Sequence, residues 1–145
     1  MFYLANVTIM REHLHTHGVV HRDLKPENLV LVANGYLKLV DFGFAKRLQP
    51  NERTRTKLGT PGYMAPEILM SVPGYHMPVD WWALGILTFE LMFRRLPFGD
   101  TLVATLARMH KRVELPSARL HGTCLLLFWA FRLSDITGAG FFFSL

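Results

Sequence analysis

Polar side chains of the kinds that phosphoryl transfer needs lie close together in the first third of this chain. Two carboxylates, an ammonium group and an amide occur in one stretch: Asp23, Lys25, Asn28 and Asp41. Transfer of a phosphoryl group from a nucleotide to a hydroxyl needs a carboxylate beside the hydroxyl, a cation beside the phosphate and oxygen ligands for a metal ion. The stretch therefore predicts a phosphotransfer site.

Asp23 and Lys25 have complementary roles in such a site. Asp23 is placed to accept a hydrogen bond from an attacking hydroxyl and to orient it. Lys25, two positions later, can neutralise charge on the transferred phosphate, and Glu27 adds a third carboxylate. A solvated loop of mixed charge is the alternative, but it does not account for the compact spacing of these groups.

Two short apolar segments between Asn28 and Asp41 predict a β-hairpin. Residues 29–32 and 36–40 are rich in strand-forming side chains, and Asn-Gly at positions 34 and 35 is a strong turn signal. With these two residues at the centre of the turn, Asn28 faces Asp41 and their Cβ atoms lie about 5 Å apart. We therefore expect the hairpin to bring both side chains to one hard cation. An ordinary hairpin with polar ends has the same pattern.

The composition indicates one globular domain. Half of the 145 residues are hydrophobic and 19% are charged, which allows one sizeable core. The 16 basic and 11 acidic residues give a net charge of +5, which leaves open a nucleic-acid binder whose retention on DNA falls steeply with salt. The basic residues are spread over several segments without interleaved aromatic residues, so we expect no nucleic-acid partner.

Cys124 and the apolar residues that follow it bear on the compartment. A single cysteine cannot form a disulfide within the chain, which fits a reducing compartment. The longest apolar run, residues 124–131, is too short to cross a bilayer before Arg132 interrupts it. We expect a protein of the cytoplasm or the nucleus that binds no membrane.

Residues 2–17 predict an amphipathic helix that ends at Gly18. Its apolar positions follow helical spacing: Tyr3, Val7, Met10 and Leu14. His13 and His17 are four positions apart and could share a metal ion on one face of the helix. We expect no metal there and predict that these two histidines and His15 are solvated.

Residues 79–93 are apolar around the whole circumference of a helix, which predicts a buried central helix. Pro78 fits its start, and Trp81 and Trp82 are expected in the core. Asp80 and Glu90 are charges within this apolar segment, so each needs a partner if it is buried.

Three motifs occur in the order found in eukaryotic protein kinases, and the chain resembles that family. HRDLKPEN (residues 21–28) resembles the catalytic loop, DFG (residues 41–43) the metal-binding triplet, and APE (residues 65–67) the end of the activation segment. The segment DLKPEN (residues 23–28), with Lys25 at its third position, resembles the catalytic loop of the serine/threonine class of these kinases. LKLVDFGFAK (residues 37–46) is similar to the cyclic-nucleotide-dependent branch, whereas GTPGYM (residues 59–64) resembles calmodulin-dependent kinases, so the subfamily stays open.

The resemblance implies ATP and Mg²⁺ as cofactors and gives the polar residues roles. Asp23 is the catalytic base, and Lys25 contacts the γ-phosphate. Asn28 belongs with Asp23 and Lys25 to the catalytic residues, and it binds the metal ion together with Asp41. Glu27 lies among the cofactor-binding residues.

The resemblance also implies an activation segment over residues 41–67. Thr56 matches the phosphorylation position, with Thr54 as a nearby competitor, and Arg22 and Lys46 form the cationic pocket for its phosphate. Phosphorylation, by an upstream kinase or by autophosphorylation, is then an ordering switch. A flexible loop with incidental threonines is the alternative.

Further roles concern the substrate and the backbone. Thr60 resembles the residue that contacts the base and helps choose serine or threonine acceptors. Glu27 and Glu90 resemble an acidic pair that receives an arginine before the acceptor, which implies a basic peptide substrate. Asp80 is expected to brace the catalytic loop. Glu67 is expected to pair with an arginine of the last helices of the lobe, for which residues 118–145 contain no recognisable match.

The expected fold is mainly α with a small antiparallel hairpin, the incomplete C-terminal large lobe of a protein kinase, over residues 1–117. Residues 118–145 are expected to be a divergent apolar tail that is not native kinase sequence. The printed sequence has no glycine-rich loop, strand lysine or partner glutamate. We therefore expect a fragment of a serine/threonine kinase that is inert alone. The alternative is a non-catalytic binding or scaffold module derived from a kinase.

Overall fold

The computed structural model describes residues 2–70 and 74–109. The predicted domain boundary at residue 117, Cys124 and the apolar tail lie outside the described residues, so these expectations stay predictions.

The described residues contain four α-helices: α1 (Phe2–Thr16), α2 (Pro66–Leu69), α3 (Pro78–Phe93) and α4 (Leu102–Met109). The predicted first helix is confirmed, and it ends where Gly18 adopts a left-handed conformation with φ of +73°. The Gly18 amide donates a hydrogen bond to the carbonyl of His15 at 3.0 Å, which satisfies a carbonyl of the last turn.

The buried face of α1 differs from the predicted stripe. Leu4, Val7 and Arg11 are the buried side chains, whereas Tyr3 is 46% exposed. Positions 4, 7 and 11 share one helix face as well as positions 3, 7 and 10 do. The prediction placed Tyr3 on the buried face because it counted only apolar residues. The buried face of the third turn carries Arg11, a charged residue that such a count leaves out.

Helix α3 is the centre of the core, as predicted. It begins with Pro78 at its first position, and its side chains from Trp82 to Phe89 are buried. Trp82 is 1% exposed and stacks on Phe98 with ring centres 5.6 Å apart, whereas Trp81 is only partly buried. In the part of the chain that the structure describes, no helix has the length and apolar character to cross a membrane.

Two small antiparallel sheets are present in the described residues, one more than predicted. Strands β2 (Leu29–Leu31) and β3 (Leu37–Leu39) form the predicted hairpin. Strands β1 (Val19–Val20) and β4 (Lys46–Arg47) form the second sheet. It joins the chain just before the catalytic loop to the first part of the activation segment. Two-residue strands carry too little pattern to be found from sequence.

The register of the hairpin differs from the prediction by one residue. Leu29 pairs with Leu39 and Leu31 with Leu37, and the amide of Val40 donates to the carbonyl of Asn28 at 2.9 Å. The loop has three residues, 33–35, and is closed by hydrogen bonds from the amide of Val32 to the carbonyl of Tyr36 and from the amide of Gly35 to the carbonyl of Val32, each at 2.9 Å. Gly35 has φ of +82°. Three-residue hairpin loops end in a left-handed residue of this kind. Asn28 therefore faces Val40, and the predicted direct pairing of Asn28 with Asp41 is wrong.

Candidate active site

The carboxylate of Asp23 is the centre of a dense group of hydrogen bonds. It is 5% exposed. Its Oδ1 accepts hydrogen bonds from the amide and the hydroxyl of Thr60 at 2.9 and 2.7 Å, and its Oδ2 lies 2.9 Å from Nζ of Lys25. Burial raises the pKa of Asp23, but the bonds from Thr60 and Lys25 outweigh it and hold the pKa below its ordinary value. The group is therefore an ionised carboxylate at neutral pH.

Thr60 ties the activation segment to the catalytic loop. In addition to its bonds with Asp23, its hydroxyl accepts a hydrogen bond from Nζ of Lys25 at 2.8 Å. Gly59 makes this approach possible, because a Cβ atom there would lie 2.7 Å from the carbonyl oxygen of Arg22. Its φ of +123° also disfavours any other residue. The contacts implied for Thr60 with Asp23 and Lys25 are present.

Asn28 is buried at the end of a 3₁₀ turn, Pro26–Asn28, that folds the loop back on Asp23. Its Nδ2 donates to the carbonyl of Asp23 at 2.8 Å and to the Asp23 carboxylate at 3.2 Å. These bonds use the donor side of the amide and fix its orientation. The Oδ1 atom is therefore left to act as an acceptor or a metal ligand.

Asp41 lies at the end of the hairpin in a left-handed conformation with φ of +58°. Its carboxylate is exposed, and one oxygen accepts the amide of Gly43 at 3.1 Å. An amide oxygen from Asn28 and a carboxylate oxygen from Asp41 are hard ligands of the kind Mg²⁺ takes beside substrate phosphates. The donor set fits magnesium. No group of three or more His, Cys, Asp or Glu side chains suited to a metal occurs within residues 2–70 and 74–109.

Asp80 fixes the backbone of the catalytic loop through hydrogen bonds. It is fully buried. Its two oxygens accept the amides of His21 and Arg22, each at 2.8 Å, and Oδ2 also lies 2.8 Å from Nε2 of His15. Arg22 has φ of +72°, so these bonds keep a non-glycine residue in a conformation that costs free energy.

The prediction that His15 is solvated is wrong, because this ring points from α1 to the first turn of α3. His13 and His17 are exposed, with ring centres 4.4 Å apart. His15 lies four positions after the buried Arg11 and so shares its helix face. That spacing was the available signal.

Arg22 reaches the activation segment through Tyr75. Its Nη1 lies 3.5 Å from the hydroxyl of Tyr75, and that hydroxyl donates to the carbonyl of Thr56. The Nε of Arg22 donates to the carbonyl of Phe44 at 2.5 Å. Sequence reasoning missed Tyr75, since a tyrosine outside a motif carries no signal for this role.

The two threonines of the activation segment differ in exposure. Thr54 is 3% exposed, and its backbone forms an isolated bridge with Tyr75. Thr56 is exposed. Lys46, which the resemblance places in a phosphate pocket, pairs instead with Glu52 at 3.0 Å. The described structure therefore brings Arg22 near Thr56 through one bridging hydroxyl, while Lys46 is engaged by a carboxylate.

Glu27 and Glu90 both act on Tyr63. The hydroxyl of Tyr63 donates to Glu90. Burial raises the pKa of Tyr63, and the charges of Glu90 and Glu27 raise it further. Glu27 is exposed and Glu90 is partly buried. Two carboxylates thus lie near one tyrosine that the sequence prediction did not single out.

Glu67 is 7% exposed, and burial raises the pKa of its carboxyl group. Within the described ranges no basic side chain forms an ion pair with it.

An open apolar groove of about 460 Å³ lies beside the hairpin, between α1 and Phe42. Ile9, Met10 and Val40 are among its lining residues. Phe42 is 48% exposed and meets the ring of His21 edge to face, with ring centres 5.1 Å apart.

The fold and this arrangement of groups define a protein kinase domain, and the chain belongs to that family. The model of the protein kinase domain matches residues 1–121. The chain is 52% identical over 98 residues to cGMP-dependent protein kinase 2 of Mus musculus, covering 68% of this chain and 13% of that protein. It is 52% identical over 99 residues to the cAMP-dependent protein kinase catalytic subunit of Dictyostelium discoideum, covering 68% of this chain and 15% of that protein.

A human relative, the cAMP-dependent protein kinase catalytic subunit PRKX, is 51% identical over 100 residues, which are 69% of this chain and 27% of that protein. The chain thus spans less than a third of the length of these relatives. The resemblance to serine/threonine protein kinases is confirmed, and the similarity lies with the cyclic-nucleotide-dependent branch. The similarity of residues 59–64 to calmodulin-dependent kinases stays a prediction.

Proposed function

We propose that this chain is the large-lobe part of a protein serine/threonine kinase that transfers the γ-phosphate of ATP to serine and threonine hydroxyls. One observation carries the proposal: the buried, ionised Asp23 is held by both Lys25 and Thr60. A general base and a cation that can bind phosphate then lie side by side, where the hydroxyl that accepts the phosphate would react. Relatives named as cyclic-nucleotide-dependent protein kinases support it.

In this proposal each side chain acts where its contacts place it. Asp23 accepts the hydrogen bond of the attacking hydroxyl and takes its proton. Lys25, 2.9 Å from Asp23, lies beside the phosphate and lowers the cost of charge there. Asn28 and Asp41 would hold Mg²⁺, which supplies charge neutralisation and alignment of the phosphates.

We further propose that phosphorylation of Thr56 orders the activation segment. Thr56 is exposed, and its backbone already connects to Arg22 through the hydroxyl of Tyr75. A phosphate at Thr56 can pair with Arg22 and compete with Glu52 for Lys46. Thr54 is the weaker candidate because it is buried. A peptide map of active protein without phosphate at Thr56 would contradict this assignment.

The preferred substrate in this proposal is a peptide with basic residues before the acceptor. Glu27 and Glu90 contribute two negative charges near Tyr63, and Glu27 is open to solvent. An arginine can form charge-assisted hydrogen bonds with such carboxylates. A peptide-library screen should show arginine enrichment before the acceptor, and no enrichment would remove this part of the proposal.

We propose that the 145-residue chain shows little turnover alone. Catalysis of phosphoryl transfer is mostly positioning and electrostatic stabilisation, and the motifs of residues 21–67 contribute only one wall of a nucleotide cleft. The groove beside Phe42 is an apolar face against which the opposite wall would pack. ATP-dependent phosphorylation by the chain alone, abolished by Asp23→Asn, would contradict this statement.

A chimera tests the catalytic assignment. The small lobe of the Dictyostelium relative is joined in front of this chain, and transfer to an arginine-containing serine peptide is measured with Mg²⁺ and ATP. We expect activity that falls at least about a hundredfold in Asp23→Asn, the usual scale for loss of a general base. The matched control, Asp100→Asn, alters an exposed carboxylate. A folded chimera with no activity, or one indifferent to Asp23→Asn, would favour a binding or scaffold module.

A further inference from the structure

Arg11 is a buried arginine that none of the kinase motifs includes. It lies on the inward face of α1 and is 3% exposed. Its guanidinium carbon is 2.9 Å from the centre of the Trp81 ring, and no partner for its Nε is found among the described residues. Burial lowers the pKa of Arg11 to about 10, against the raising effect of the charges of Asp80 and Glu12. Burying such a cation costs free energy, so its retention calls for a compensating role.

The only side-chain acceptor that Arg11 contacts in the described part of the chain is His15. The distance from Nη1 of Arg11 to Nδ1 of His15 is 3.0 Å. A guanidinium group has donors and no acceptor, so Nδ1 of His15 must be the acceptor in this contact. The proton of the ring is then on Nε2.

The Nε2 atom of His15 faces Oδ2 of Asp80 at 2.8 Å. With its proton on Nε2, His15 donates to the carboxylate. With the proton on Nδ1, a ring lone pair would face the carboxylate and a ring N–H would face the Arg11 N–H. The carboxylate of Asp80 alone already requires the proton on Nε2, and the N–H of Arg11 adds a donor to Nδ1, so the ring is held between two partners.

Asp80 connects the contact between Arg11 and His15 to the catalytic loop. The same carboxylate accepts the amides of His21 and Arg22, each at 2.8 Å, and Arg22 is in a left-handed conformation. The orientation of Asp80 thus sets the backbone of the residue directly before Asp23. A carboxylate fixed by three donors is better held than one fixed by two.

We propose that Arg11 is a positioning residue for the catalytic loop, acting through the orientation of the His15 ring and of Asp80. The proposal rests on the proposed function only in treating this loop as catalytic. Its tests measure a ring tautomer and amide protection, neither of which requires turnover.

Nuclear magnetic resonance of the full chain at one neutral pH tests the proposal. Long-range proton–nitrogen spectra of the histidine rings distinguish the two neutral tautomers, and hydrogen exchange reports on the amides of His21 and Arg22. We expect the wild-type His15 proton on Nε2. In Arg11→Met we expect the Nδ1 resonance to lose the shift that an accepted hydrogen bond causes, and about tenfold faster exchange of both amides, the loss expected for one weakened buried hydrogen-bond system.

Two further variants sharpen the result. Arg11→Lys retains a group that only donates, so the wild-type Nδ1 shift is expected to return. Arg55→Met removes a positive charge from an exposed site in the activation segment and is expected to change neither readout.

A His15 proton on Nδ1 in the wild-type chain would overturn the proposal. So would an Arg11→Met chain with the wild-type Nδ1 shift and wild-type exchange. If that variant does not fold, Arg11→Lys decides, since an Nδ1 shift without an accepted hydrogen bond there contradicts a hydrogen bond from the residue at position 11. A chain that transfers no phosphate leaves both readouts interpretable, so failure of the proposed function is distinguishable.

Discussion

The catalytic loop and the activation segment adjoin each other but are held in different ways. In the catalytic loop, buried polar groups bond to several partners each: Asp23 contacts Thr60, Lys25 and Asn28. Residues 51–57 of the activation segment are mostly exposed, and their tertiary contacts include the bridge from Thr54 to Tyr75 and the pairing of Glu52 with Lys46. The difference indicates that buried contacts hold Asp23 in place, whereas residues 51–57 depend on single, replaceable contacts.

The largest expected effect comes from removing the charge that braces the catalytic loop. Both oxygens of Asp80 accept backbone N–H groups, and Asp80→Asn replaces one of these oxygens with an NH₂ group. A buried backbone N–H then faces another donor instead of an acceptor. We expect the free energy of unfolding to fall by about 3 kcal/mol, measured by urea denaturation. Asp100→Asn, at an exposed carboxylate, serves as the control. Equal stabilities of the two variants would show that the loop is not held in this way.

The second prediction concerns Asp23 and pH. Its pKa is lowered in the folded state, so the stability it contributes is present above its ordinary value of about 3.9 and is lost as pH falls through the folded pKa. We expect Asp23→Asn to reduce the free energy of unfolding by about 1 to 2 kcal/mol at pH 7. The difference from wild type should shrink below about pH 4. A constant difference across that range, measured by urea titrations, would contradict the assignment.

The third prediction tests the activation segment. Tyr75→Phe removes the hydroxyl between Arg22 and the carbonyl of Thr56, a loss of about 1 kcal/mol. Because the affected segment is basic, trypsin reports on it directly, and we expect cleavage there to be roughly fivefold faster. Tyr36→Phe, at a tyrosine 52% exposed on the hairpin, is the control. Unchanged cleavage would show that the hydroxyl does not hold the segment.

The smallest effect is expected at the exposed ion pair. Hydrogen bonding to the amide of Gln49 and to Lys46 lowers the pKa of Glu52, although that carboxylate lies in solvent. Exposed pairs contribute little to stability, so Glu52→Gln should leave the thermal midpoint unchanged at low and at high salt. A clear drop at low salt alone would show that this contact holds the activation segment more firmly than proposed.

The contiguous motifs made much of the candidate site predictable. Asp23, Lys25 and Asn28 lie within one short loop, so their types and spacing were enough to bring them together. His15, Tyr63 and Tyr75 were missed because their contacts depend on how distant segments pack. The residues next to each of them in the sequence give no indication of which distant group its side chain will meet.

The fold was predictable where apolar patterns are long and less so where they are short. Helix α3 has an apolar surface over four turns, and its limits were found nearly to the residue. The hairpin register failed because Asn-Gly suits both two-residue and three-residue loops. Such a choice shifts every facing pair by one position. The inward Arg11 was missed because its burial depends on Trp81 and His15, which belong to another element and to a later turn.

The absence of a side chain at Gly59 offers a way to separate the proposed phosphotransfer from the fold. A methyl group at this position would lie within 2.7 Å of the carbonyl of Arg22, so it acts as a wedge between two segments while touching none of the groups that do chemistry. Gly59→Ala would therefore leave the side chains of Asp23, Lys25 and Asn28 unchanged and displace Thr60 from Asp23. Here the missing side chain of one residue, as much as the side chains present, sets the distance at which Thr60 and Asp23 meet.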